Sequence, residues 1–200
     1  MSEVTRPVRT RDPARKERIL SAAADLVARR GYHAVGMADI GAAAGVTGAA
    51  IYRHFESKSA VLVALFDRVI DQLLDNAGRI VEEARDVRAA LTLLVRDQVR
   101  FAIEDREVLV VYMNEINNLP DEDRRRLRRK QRLYLEEWVH VLRELRPELT
   151  DTETRAIVHA AIGVIQSVLH YRSDLPKKRL AELITSTAHA ALGVAEVPAT

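Results

Sequence analysis

A chain of 200 residues, 48% of them hydrophobic, can bury a substantial core and is long enough for two lobes. It has no cysteine, which excludes a disulfide framework, a thiolate metal site and a cysteine nucleophile. No apolar run is long enough to cross a bilayer, and the first residues lack the apolar centre of a signal peptide, so a cytoplasmic protein is expected. The net charge of +2 is unevenly placed: residues 1–60 carry ten Lys or Arg against six acids, and the other 140 are slightly acidic. A basic end on an acidic body suits a polyanion held at that end alone.

In chain order, residues 1–11 show no periodicity and read either as a solvated tail or as an arm whose Arg6, Arg9 and Arg11 enter a minor groove. Asp12 is placed to cap a helix with Pro13 at its first position, Ile19, Leu20, Ala23, Leu26 and Val27 on its inner stripe, and Gly31 at its stop. A second helix, Met37 to Ala44, repeats apolar residues at Met37, Ile40 and Ala44. Gly45 then offers the left-handed turn, and Thr47 a cap for a third helix, Gly48 to about His54. On that helix Ile51 and Phe55 face inward, leaving Ala49, Ala50, Tyr52, Arg53 and His54 outside. Two short helices about a glycine turn form a helix-turn-helix, and small residues at the start of the outer face let backbone approach a DNA major groove.

The run AGVTGAAIYRHFESK (44–58), preceded by an amphipathic helix ending in RRGY (29–32), resembles the DNA-binding domain of the tetracycline-repressor (TetR) family of transcription regulators. The likeness covers about residues 14–66 and implies an all-α homodimer that binds a palindromic operator and releases it on binding a small-molecule effector. It further implies that Tyr52, His54 and Lys58 touch phosphates and that Thr47, Gly48, Ala49, Ala50 and Arg53 face bases or backbone. Gly36 and Met37, which open the first helix of the motif, join that DNA-facing set. Gly36 stands where the family usually has Thr or Ser, and Ala38 where some members carry a base-reading side chain.

Ser57 caps a long helix with apolar residues from Val61 to Val81 at spacings of three and four. No Pro or Gly run separates it from the motif, so a movement in the body can pass along it. Asp86 opens a further helix, and Val108 to Ile116 is apolar nearly all round at first, as in a buried helix. Leu119-Pro120-Asp121 breaks the pattern before a helix from Asp121 to Leu145, whose basic run from Arg124 to Arg132 reads either as a solvated face or as a site for an anionic ligand. Pro147 ends it, Thr150 and Glu153 form a capping box, and two helices follow, Asp151 to Arg172 and Lys177 to Leu192. Both are rich in small residues. Ala160, Val164, Val168, Ala188 and Ala191 are candidates for a dimer surface, with packing inside the chain as the alternative that the resemblance disfavours.

Six scattered histidines form no H-E-x-x-H or mixed ligand cluster, and no phosphate loop or nucleophile elbow is present, so no catalytic residue, metal site or cofactor is expected. Tyr112, Met113, Asn114, Asn117, Tyr134 and Trp138 mix apolar bodies with polar tips, as an effector pocket requires. The EINN segment before an arginine-rich helix is similar to regulators of lipid breakdown that sense acyl-CoA thioesters. The expected layout is therefore all-α: an arm at 1–11, a helix-turn-helix domain at 12–57, an effector-binding and dimerisation domain at 58–193, and a tail at 194–200. The expected function is a repressor released by an effector such as an acyl-CoA, or alternatively an efflux regulator sensing a hydrophobic compound. A helical enzyme would need a catalytic constellation, and a pure interaction module would have no use for Tyr52, His54 and Lys58 beside a glycine turn.

Overall fold

The computed structural model describes residues 13–196; the expected arm, the Asp12 cap and residues 197–200 lie outside them. Among the described residues, regular structure is entirely helical: α1 Pro13–Arg30, α2 Met37–Ala43, α3 Gly48–Ile51, α4 Lys58–Glu83, α5 Val87–Glu104, α6 Arg106–Glu115, α7 Asp121–Leu145, α8 Asp151–Gln166 and α9 Lys177–Leu192. The chain divides into two compact units, Met1–Ala64 and Leu65–Thr200. The expected boundary at 57/58 thus moves inside α4. Its first turn belongs to the first unit because Val61 and Leu62 are fully buried and Lys58 bonds to the carbonyls of Tyr32 and Val35.

In the first unit α1 lays Ile19, Leu20, Ala23 and Val27 against a core shared with Met37, Ile40, Ile51 and Phe55. Gly31, at φ 78, ends α1, and its N–H donates to Val27 O at 2.8 Å. A residue with a Cβ disfavours that left-handed geometry, as it does at Gly45, φ 66, where the chain turns from α2 to α3. Asp39 reaches back to accept from the Gly36 N–H at 2.8 Å, which supplies α2 with the carboxylate that a glycine cap lacks.

The second unit is built around α5, which packs against α6, α7, α8 and α9. Leu91, Leu94, Val95 and Val99 of α5 meet Trp138 and Leu142 of α7, Val158 and Ile165 of α8, and Ala188 and Leu192 of α9. Asp86 caps α5 by accepting from Ala89 N–H at 2.7 Å. Thr150 and Glu153 form the expected reciprocal box at α8. α6 departs from expectation: Leu109 and Val111 are buried, but Met113 and Asn114 are exposed, so the helix is amphipathic rather than enclosed. α8 stops at Gln166 and tightens into a 3-10 turn, Ser167–Leu169, short of Arg172.

The small residues of α8 and α9 divide between the core and the surface. Ala161 and Ala188 are both fully buried, and Val168 is buried beside them. Val168 and Ala188 therefore drop out of the expected dimer surface, since each faces this chain's own core. Ala160 is exposed, and Val164 and Ala191 are half-buried.

Candidate nucleic-acid interface

Thr47 takes extended backbone angles and its hydroxyl accepts from the Ala50 N–H at 3.3 Å, which fixes the start of α3. Regular helix lasts only to Ile51. Tyr52 to His54 follow as a tight turn, held by His54 N–H to Ile51 O at 2.9 Å and Phe55 N–H to Ile51 O at 3.0 Å. Ile51 and Phe55 anchor this element inward. Thr47, Gly48 and Ala49 form a shallow exposed surface that ends in the outward side chains of Tyr52 and Arg53, with His54 half-buried at its edge. A Cβ built on Gly48 would meet nothing within 4 Å.

Two members of the expected DNA-facing set are not at this surface. Ala50 is 5% exposed, because it precedes Ile51 by a single 100° step and shares its inward arc. Met37 is also buried, in phase with Ile40 and Ala44 on the core side of α2. Gly36, which precedes it, is exposed.

Lys58 has a role that sequence reasoning missed. Its ammonium donates to Tyr32 O at 2.5 Å and Val35 O at 2.7 Å and lies 4.1 Å from the centre of the Tyr32 ring. Two of its three protons thus clamp α4 to the loop after α1, leaving one for a phosphate. Nothing local signalled this, since the acceptors are backbone carbonyls 23 and 26 residues away.

In the second unit the expected effector set is dispersed. The Tyr134 hydroxyl donates to Gln98 Oε1 at 2.6 Å within the core, and its ring meets fully buried Trp138 edge-on; burial pushes the phenol's pKa far up. Half-buried Tyr112 donates to Gln131 Oε1 at 3.1 Å and packs edge-on against Phe66. Met113, Asn114 and Asn117 point outward, and Asn117 accepts from Arg124 and Arg128. The six thus divide among the core, which takes Tyr134 and Trp138, a half-buried position at Tyr112, and the surface, which takes Met113 and Asn114 of α6 and Asn117 of the 3-10 turn after it. The structure instead opens a cleft of about 420 Å³ between α5 and α9, with Val99, Ile103 and Ala181 among its apolar lining and Arg100, Lys177 and Lys178 among its cations. A second cleft of about 530 Å³ is lined by Val168, Tyr171, Leu175, Leu180, Leu183 and Ile184. The apolar spacing of α9 was legible in sequence, but the loop that closes this second cleft was not.

The basic run of α7 is part clamp and part open face. Arg126 grips both oxygens of Asp67 at 2.5 Å, and Lys130 bridges Asp67 at 2.8 Å and Asp71 at 2.7 Å. These partners hold the Asp67 carboxyl below the usual carboxylate range although burial alone would raise it. Among the described residues, no helix is long and apolar enough to cross a membrane.

A capped recognition helix on a glycine turn, carried by a helix that continues into an all-helical body, defines a helix-turn-helix regulator. Residues 19–65 match the family profile described as bacterial regulatory proteins, tetR family, and residues 84–192 match the tetracyclin repressor-like C-terminal domain. The chain belongs to the TetR family. It is 30% identical over 110 residues to the HTH-type transcriptional repressor KstR2 of Rhodococcus jostii, a match covering 55% of this chain and 54% of that protein. The chain spans about half the length of the curated relatives it matches. A TetR-family regulator from Bordetella parapertussis superposes with a TM-score of 0.79 at 23% identity, over 89% of this chain and 95% of that one. FadR of Bacillus subtilis, solved in complex with stearoyl-CoA, superposes at 0.71 with 19% identity, over 88% and 98%.

Proposed function

We propose that this protein is a transcriptional regulator that binds operator DNA as a homodimer through α3 and its flanking turn, and that a small-molecule effector bound in the Leu65–Thr200 unit releases it. The observation that carries the reading is the bare tract Thr47–Gly48–Ala49 ending in exposed Tyr52 and Arg53 on a rigidly packed helix-turn-helix. Its backbone can approach a major groove, where Ala49 offers thymine methyls apolar contact and Arg53 offers a guanine or phosphate its planar fork. A twofold dimer presents two such tracts, so the operator is partly palindromic, its half-sites about one helical turn, roughly 34 to 36 Å, or a multiple apart. The place of action is the cytoplasm, where operator DNA lies.

The likeness to KstR2, a repressor, supports repression, and the FadR complex with stearoyl-CoA supports an acyl-CoA as the class of effector. Ala160, exposed on α8, and exposed Leu183 on α9 support those two helices as the dimer face. α4 runs unbroken through the boundary between the units, which gives the effector's unit a covalent, stiff path to the first. The test is fluorescence anisotropy with labelled duplexes from upstream of the protein's own gene, with and without long-chain acyl-CoA. Sequence-specific binding that acyl-CoA weakens is expected; binding indifferent to sequence removes the regulator reading, and specific binding indifferent to every acyl-CoA removes the effector class.

A further inference from the structure

Seven cations stand in the nine positions from Arg124 to Arg132, and the structure sorts them into two groups. Arg124 bonds to Asp121 and to the Asn117 carbonyl, Arg128 to the Asn117 side chain, and Arg126 and Lys130 to Asp67 and Asp71 of α4. Arg125, Arg129 and Arg132 are exposed and, among the described residues, make no hydrogen bond or ion pair. Placed at i, i+4 and i+7, they form one row about 10 Å long on the outer face of α7. Such a row does not help the fold, because like charges three and four residues apart repel. Its acidic neighbours do little to cancel it: Glu122 stands at its head, and Glu136, near enough for Arg132 to act on its carboxyl, is gripped by Arg155.

We infer that this row docks a polyphosphate anion, and that the docked anion competes with Asp71 and Asp67 for Lys130 and Arg126. The inference rests on the acyl-CoA reading above and assigns the coenzyme's phosphate end to α7. Guanidinium forks match phosphate oxygens in pairs, and a row of three spans the phosphates carried on two positions of one nucleotide. Arg129 is one turn from Arg126 and adjacent to Lys130, so a phosphate on the row comes within reach of the α4–α7 clamp. That clamp holds three carboxylates, Asp67, Asp71 and Asp123, on two cations. Asp71 is its weak member, half-exposed and tied only to Lys130. When a phosphate draws Lys130 away, Asp71 and part of Asp67 lose their partner, and the change is felt on α4.

The experiment is calorimetric titration of the full-length protein with coenzyme A lacking an acyl group, which isolates the phosphate end. Arg125→Gln, Arg129→Gln and Arg132→Gln together are expected to weaken binding at least about tenfold, the sum of three modest ion pairs, without moving the melting temperature. Asp71→Asn is expected to tighten coenzyme A, because the competing carboxylate is gone. Unchanged affinity in the triple variant overturns the site, and if acyl-CoA still releases operator from that variant, the effector reading stands without it. Unchanged affinity in Asp71→Asn overturns the competition. If coenzyme A does not bind and the triple variant instead loses duplex affinity, the row serves DNA and the inference is wrong. If the triple variant loses coenzyme A but acyl-CoA never alters operator binding, the site stands and the effector reading falls.

Discussion

Replacing Lys58 by Met keeps the aliphatic stem and removes the ammonium from the two carbonyls and the ring it caps. A hydrogen bond from a charged donor contributes about 1.5 to 3 kcal/mol, and a cation over an exposed ring about 0.5 to 1 kcal/mol. The site is only part-buried, so water re-solvates the two carbonyls in the variant and the net loss should be about 2 to 3 kcal/mol. For a chain of this length that corresponds to a fall in melting temperature of about 5 to 10 °C, readable by circular dichroism. Duplex binding by the folded variant then discriminates between the roles open to Lys58. A clamp leaves the salt dependence of binding as in the parent, whereas a phosphate contact, lost twice in a dimer, lowers the slope by about 1.8. Unchanged melting with that lower slope would refute the clamp.

Gly45→Ala puts a Cβ where nothing stands within 4 Å but where φ is +66, so calorimetry should record the strain alone, about 1 to 2 kcal/mol. Gly48→Ala, at ordinary φ and in equally open space, should leave stability unchanged or raise it by up to about 1 kcal/mol while weakening duplex binding, since the methyl stands on the approaching surface. His189 donates through Nδ1 to Val194 O at 3.0 Å and has a buried, unpartnered Nε2, and burial, assisted by the positive charge of Arg96, lowers its pKa from 6.5 although the Val194 carbonyl and Glu196 pull it up. The unfolded chain therefore binds the proton first: stability should be full above pH 6.5 and fall as pH drops below it, and denaturant titrations across that range should lose part of this slope in His189→Gln. Tyr134→Phe should cost about 1 to 3 kcal/mol by leaving Gln98 Oε1 without its buried donor; adding Gln98→Leu should recover part of it, a coupling visible in a double-mutant cycle.

Much of the fold was legible because its signals are local. Thr47, Asp86 and the Thr150–Glu153 pair announce helix starts within four residues of themselves, and Gly31, Gly45 and Gly193 all take the positive φ that ends or turns a helix. α7 and α9 began and ended where Pro120, Pro147, Pro176 and Gly193 imply. What failed needed information from elsewhere in the chain. Ala50 reads as outward or inward depending on a single helical step, and a helix of four residues offers too few repeats to fix its phase. The small residues of α8 and α9 fit packing within a chain or between chains equally well by pattern. The observed burial assigns Ala161 and Ala188 to the first and leaves Ala160 on the surface. The arginine run likewise could not be divided into clamp and open face until Asp67 and Asp71, some sixty residues earlier, were seen beside it.

The brevity of α3 changes how loss-of-function variants of this protein should be read. Four residues are far fewer than a helix needs to persist in water, so the shape offered to DNA is held by Thr47 on one side and by Ile51 and Phe55 beneath. A genetic screen scored only by failure to occupy DNA will therefore return Ile51 and Phe55 beside Tyr52 and Arg53, though the first two are buried. Protein abundance separates the two kinds: a truncated core residue lowers the amount of folded protein in the cell, whereas a truncated surface residue leaves a full complement of protein that no longer binds.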